Sequence, residues 1–147
     1  MDTVTIYLAG EIHGPWRNQL RELIEKKNLP VRFVGPQDEH DRSDSVGEDI
    51  LGEQPSARYR DLMGAGANML RSRAMMRKAD LAVVYFGDKY RQWNTAADAG
   101  SAVAMGIPLL LIRDPELIHA LKEIDAMATF TVENLEQAAQ AIAYIFE

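Results

Sequence analysis

Residues 81–112, LAVVYFGDKYRQWNTAADAGSAVAMGIPLLLI, hold two apolar runs on either side of a stretch of small residues. Leu81 to Phe86 is unbroken by any polar side chain and is stopped by Gly87; Pro108 to Ile112 is a second such run. Strands without polar alternation are those buried on both faces of a sheet. Between them, Asn94 or Thr95 is placed to cap a helix, AADAGSAVAMG, whose alanines and glycine let it lie close on the sheet, and Gly106 ends it. Strand, crossover helix and strand in this order make a right-handed parallel unit.

The same alternation extends toward both ends. Val4 to Ala9 is a short apolar strand opening into a turn at Gly10. Trp16, Leu20, Leu23 and Ile24 then recur at helical spacing, with Pro15 as a first-turn proline and Asn28 near the exit. Val31 to Val34 is a second strand, closed by Gly35-Pro36. Asn68 to Lys78 reads as a helix. Downstream, a short helical stretch is expected around Pro115 to Lys122 and an edge strand at Met127 to Thr131. Leu135, Ala138, Ala139, Ile142 and Ile145 then share one face of a last helix. The segment from Pro36 to about Gly66, with QDEHDRSDS and only a short amphipathic piece at Tyr59 to Met63, reads as a long polar connection holding one short helix. Loops of that length are lids, oligomer contacts or unstructured segments. The pattern predicts one domain over residues 1–147: an α/β, doubly wound, five-stranded parallel sheet flanked by helices, in flavodoxin-like order.

Composition excludes several classes of function. The 147 residues are 47% hydrophobic and 26% charged, ordinary values for one folded core. A net charge of −6 offers no general attraction to nucleic acid or anionic lipid. There is no cysteine, hence no disulfide, zinc-thiolate site or cysteine nucleophile. No apolar run approaches the roughly 20 residues that span a bilayer, and no basic leader precedes the first strand, so a cytoplasmic location is expected.

In doubly wound sheets the ligand crevice lies beyond the carboxyl ends of the strands. That rule brings Tyr7, Gly10, Glu11 and His13 from the first strand end together with Gly87, Asp88, Lys89, Tyr90, Gln92 and Trp93 from the third, and with Asn94, Thr95 and Asp98 from the next helix. Glu11 and His13 can serve as acid and base or hold a sugar hydroxyl, or Glu11 can be a surface cap. Thr95-x-x-Asp98 matches a capping box; a carboxylate in the first turn facing the crevice can instead be a nucleophile or bind ribose. Tyr85, Tyr90 and Trp93 suit stacking on a base or closing the core. Asp38 to Asp41, DEHD, reads as a solvated face rather than a metal site, and Arg71, Arg73 and Arg77 as the exposed face of their helix rather than a phosphate contact.

The stretches YLAGEIH and FGDKYRQWNTAADAG resemble the YtoQ family, small relatives of the nucleoside 2-deoxyribosyltransferases, along nearly the whole chain. The superfamily pattern is Y-L-A-G, an Ala-Asp pair, a D-x-G-T-x-x-E-x-G-x-A helix and a G-K-P turn. Here Tyr7-Leu8-Ala9-Gly10, Ala79-Asp80, Asn94 to Ala102 and Gly106-Ile107-Pro108 stand in the same order and spacing. The resemblance implies a carboxylate that attacks the anomeric carbon of a nucleoside to form a glycosyl-enzyme ester, resolved by water or a second base. It places Asp98 at the nucleophile, where the superfamily has glutamate, and Gln92 where it has an acid. It also implies a homo-oligomer whose sites are completed by a neighbouring subunit.

The expected function is therefore cleavage or transfer of an N-glycosidic bond of a nucleoside or nucleotide by Asp98, assisted by Glu11 or His13. Tyr7, Gly10, Gly87, Asp88, Tyr90, Gln92, Trp93, Asn94 and Thr95 would contact the substrate. The alternative is a nucleotide- or nucleoside-binding protein without turnover. The expected partner is the small molecule, with no metal or organic cofactor, no nucleic acid and no membrane.

Overall fold

Strands form where the apolar runs lie, and the sheet they build determines where a ligand can sit. A computed structural model describes residues 2–88 and 92–147. In chain order it contains β1 (Val4–Gly10), α1 (Trp16–Glu25), β2 (Val31–Val34), α2 (His40–Leu51), α3 (Ala57–Met76), β3 (Leu81–Phe86), α4 (Trp93–Ala104) and β4 (Leu109–Arg113). A 3₁₀ turn (Pro115–Leu117), α5 (Lys122–Met127), β5 (Phe130–Val132) and α6 (Leu135–Tyr144) complete it. The sheet order is β2-β1-β3-β4-β5 and every pairing is parallel. This is the doubly wound, flavodoxin-like arrangement read from the alternation of apolar runs and helical stretches. Among the described residues no helix is long and apolar enough to cross a membrane.

Alternate strand residues feed two cores. Ile6, Leu8, Val83, Leu110 and Ile112 pack under α1 and α6 through Trp16, Leu20, Ile24, Ala138 and Ile142. Tyr7, Ala9, Ala82, Val84, Phe86 and Leu111 face the other side, against Met76 at the end of α3 and Ala99 and Ala102 of α4. The small residues of α4 allow the close approach expected of them. Its exit is a Schellman motif: Gly106 has φ 76°, its N–H donates to the Val103 carbonyl, and the Ile107 N–H donates to that of Ala102, each at 3.0 Å.

Residues 36–66 depart from the expected loop. They carry α2 and the first half of α3, a helical hairpin, and the helix expected to start at Asn68 begins at Ala57. Ser56 caps α3, its Oγ accepting from the Tyr59 N–H. The reason for the misreading is physical. The residues buried where α2 meets α3 are Gly47 and Gly64, while Ile50, Leu51, Leu62 and Leu70 are exposed, so no apolar stripe marks the buried face.

Smaller differences occur further on. Helix α4 starts at Trp93 with Gln92 at the N-cap, so neither Asn94 nor Thr95 caps it and the Thr95–Asp98 capping box does not form. Asp98 stands in the second turn. The stretch around Pro115 to Lys122 holds only the 3₁₀ turn and the start of α5, and β5 begins at Phe130 rather than Met127 because α5 runs through Met127.

Candidate functional site

Strand β1 lies between β2 and β3, so successive connections leave it in opposite directions and open a crevice at its carboxyl end. A cavity of about 530 Å³ occupies this position, within the size range of small-molecule sites. Its floor is Gly10 with Asn94, Thr95, Asp98 and Ser101 of α4; its far wall is the α2–α3 hairpin, contributing His40, Ser43, Asp44, Asn68, Ser72 and Arg73. The Asn68 amide donates to the Ser43 carbonyl at 2.9 Å, tying the two helices of that wall together.

Asp98 is the perturbed carboxylate of the site. Burial pushes it up to about 6, and the Arg17 guanidinium works against that rise. Beneath it Tyr7 is wholly buried, its phenol pushed up to about 12 by burial first and by the Asp98 charge second. Ser72 approaches the Tyr7 hydroxyl, which makes no well-formed hydrogen bond. A neutral phenol below a carboxylate that titrates near 6 can donate to it or to a ligand oxygen.

Arg17 was not among the candidates, yet it organises the crevice. It is 6% exposed. Its Nη1 donates to the Glu11 carbonyl at 2.6 Å and its Nη2 to that of Gly10 at 3.1 Å, while the guanidinium stacks 4.6 Å from the Trp16 ring. Burial holds its pKa below the usual arginine range, opposed by the charges of Asp38 and Asp98. A signal was available: Arg17, Leu20 and Ile24 follow i, i+3, i+7 on the apolar face of α1, so a charged residue occupies a core position.

The β1–α1 turn is rigidly held. The Glu11 carbonyl also accepts from the Trp16 indole at 2.8 Å. The Glu11 side chain turns toward Gly14 and adds its charge to those acting on Tyr85, outside the cavity lining. His13 is exposed with its ring 5.5 Å from that of His40, a cavity residue. At the other lip Gly87 is buried and braced by Gln92, whose Nε2 donates to the Gly87 carbonyl at 3.0 Å and whose Oε1 accepts from its N–H at 3.3 Å. Asp88 is exposed, and Trp93 is 71% exposed at the start of α4. Tyr85 stacks on Trp16 at 4.9 Å, closing the core rather than offering a free face. Tyr90, with Lys89, lies outside the described residues. The structure thus brings Asp98, Gly10, Asn94 and Thr95 into the cavity lining, with Tyr7 in the field of Asp98, and leaves Glu11, His13, Gly87, Asp88, Gln92 and Trp93 outside that lining.

Comparisons with known proteins agree with this architecture. The pattern of the family described as nucleoside 2-deoxyribosyltransferase YtoQ matches residues 7–146. The uncharacterized protein YtoQ of Bacillus subtilis (strain 168) is 48% identical over 142 residues, 97% of this chain and 96% of that protein. Among solved structures, a 2-deoxyribosyltransferase from Bacillus psychrosaccharolyticus aligns with TM-score 0.55 at 20% identity over 92% of this chain and 90% of its own. A conserved protein from Enterococcus faecalis V583 aligns with TM-score 0.63 at 18% identity, covering 97% and 99%. The CMP N-glycosidase of Clostridium botulinum aligns with TM-score 0.52 at 15% identity, covering 96% and 98%. At these identities the solved structures speak to the shared fold.

Proposed function

The chain belongs to the nucleoside 2-deoxyribosyltransferase YtoQ family, and on that premise we propose that its crevice cleaves or transfers the N-glycosidic bond of a nucleoside or nucleotide, with Asp98 as nucleophile. The observation that carries the reading is the position of this carboxylate. It lines the cavity at the switch point of the sheet, desolvated enough to titrate near 6 and still within the field of Arg17. Two of the similar folds, a 2-deoxyribosyltransferase and a CMP N-glycosidase, act at such bonds.

In this mechanism an Asp98 oxygen bonds to the anomeric carbon as the carbon–nitrogen bond breaks. The bonding pair leaves on the base nitrogen, which takes up a proton; His13, its ring 5.5 Å from that of the cavity residue His40, would supply it. Water then adds to the anomeric carbon of the ester and frees Asp98, or a second base does so in transfer. Arg17 keeps the attacking carboxylate ionised near neutral pH, and Asn94 and Thr95 offer polar contacts to the sugar.

The test is incubation with a panel of nucleosides and nucleoside monophosphates, following released base by chromatography beside Asp98→Ala. Release by the wild type alone supports the reading. A second reading, a nucleotide-binding protein without turnover, draws on Gln92: its amide braces Gly87 where an acid would meet the sugar. Thermal stabilisation by one ligand without base release would select it. We further propose a homo-oligomer, supported by the outward apolar residues of the α2–α3 hairpin.

A further inference from the structure

A second cleft, about 320 Å³, adjoins the Asp98 cavity; the two share Pro36, at the end of β2. Four arginines line it, Arg17 and Arg21 of α1, Arg32 of β2 and Arg71 of α3, with one acidic residue, Asp38. In a chain of net charge −6 this is a strong local reversal of sign. Among the described residues none of the four pairs with a carboxylate within 4 Å. Arg17 is buried with its donors on two backbone carbonyls, and Arg21 reaches only the Asn18 amide oxygen. Four arginines gathered around a single carboxylate carry an excess of positive charge that an added anion would offset, and their planar forks match phosphate oxygens.

We propose that this cleft receives a phosphate monoester carried by the same molecule whose sugar lies against Asp98, so that the substrate is a nucleotide rather than a nucleoside. This rests on the glycosidic reading of the Asp98 cavity and deepens it. Arg17 is the link between the two spaces, since its charge acts on Asp98 in one and Asp38 in the other. Gly35 allows the junction: a Cβ there would stand 2.9 Å from the Leu8 carbonyl oxygen, so only glycine lets the chain turn into Pro36 this close to β1.

The experiment uses the full chain and two exposed positions, Arg32→Gln and Arg71→Gln, singly and together. Inorganic phosphate is titrated into each by calorimetry, and matched pairs of nucleoside and nucleoside 5′-monophosphate are compared for base release. The expected result is phosphate binding that weakens about tenfold or more for each guanidinium removed, with a preference for monophosphate over nucleoside that disappears in the double variant. Phosphate affinity unchanged in the double variant overturns the proposal. So does phosphate binding with no advantage of monophosphate over nucleoside. If no compound releases base, the glycosidic reading fails separately, and competition between a monophosphate and inorganic phosphate for the wild type decides the cleft: competition lost in the double variant supports it, and its absence in the wild type overturns it.

Discussion

Gly47 of α2 and Gly64 of α3 meet backbone to backbone: a Cβ at Gly47 would fall 2.7 Å from the Gly64 nitrogen and 2.7 Å from the Met63 Cβ. The wall of the cavity hangs on this contact. Glycine inside a helix ordinarily costs about 1 kcal/mol relative to alanine, so replacing it should stabilise unless something stands in the way. Gly47→Val is expected to lose about 1–3 kcal/mol through overpacking and to lower Tm by several degrees. Gly66→Ala, on the same helix with nothing within 4 Å of its Cβ, is expected to raise it. Thermal unfolding followed by circular dichroism compares the two; a stabilised Gly47→Val would refute the close contact.

The titration of Asp98 sets two opposite pH trends. As nucleophile it must be ionised, so kcat/KM is expected to rise with pH through about 6. Stability runs the other way. A carboxyl whose folded pKa is raised from 3.8 binds its proton more tightly in the folded state, so its contribution is fully present below about pH 4 and lost as pH rises through 6. Asp98→Asn is therefore expected to be more stable than the wild type by roughly 3 kcal/mol at pH 8 and to lose that advantage by pH 4. Denaturant unfolding at the two pH values decides it; an advantage independent of pH would contradict the assignment.

Removing Arg17 takes away the charge that holds Asp98 down. In Arg17→Met the ascending limb of the pH–rate profile, or of an NMR titration of the Asp98 carboxyl, is expected to move to higher pH. Its contacts to the Glu11 and Gly10 carbonyls are lost as well, so thermal unfolding should be lowered in the same protein. An unmoved limb would mean that Arg17 shapes the turn and does not tune the carboxylate.

The hairpin exposes Leu62 at 57% and Leu70 at 75%, eight residues apart on α3, with Ile50 and Leu51 close to the end of α2. Covering such side chains is worth about 25 cal/mol per Å² of apolar area. Leu62→Glu combined with Leu70→Glu is expected to convert the proposed oligomer to monomer in sedimentation velocity without lowering helix content. A wild type that already sediments as a monomer removes the oligomer.

The sheet was readable from the sequence because its strands are apolar on both faces and its helices end on recognisable residues such as Gly106. Asp98 was readable as well, since the rule that ligands bind beyond strand ends singles out the helix that follows β3. The α2–α3 wall was not. Its buried contact is made by glycines, which a periodicity argument reads as breakers, and its leucines face outward. Arg17 was missed for a related reason: a charged side chain on an apolar stripe weakens the helical signal it belongs to, and only the folded turn shows that its donors are occupied by the Gly10 and Glu11 carbonyls. The two bonds between the Gln92 side chain and the Gly87 backbone follow no local sequence pattern that would announce them.

Asp80 and Thr5, 75 residues apart, are joined twice: the Asp80 carboxylate accepts from the Thr5 N–H at 2.8 Å and the Asp80 N–H donates to the Thr5 carbonyl at 2.8 Å. Strand β1, made well before β3, is thus an inner strand of the finished sheet, and one of its edges waits for β3. At about 5–20 residues per second the wait is on the order of 4–15 s. During it, Ile6, Leu8 and an unpaired strand edge are open to other nascent chains. Translation speed across residues 40–80, the hairpin codons, therefore bears on how much of the protein folds rather than aggregates, a demand on its biogenesis that the folded molecule no longer displays.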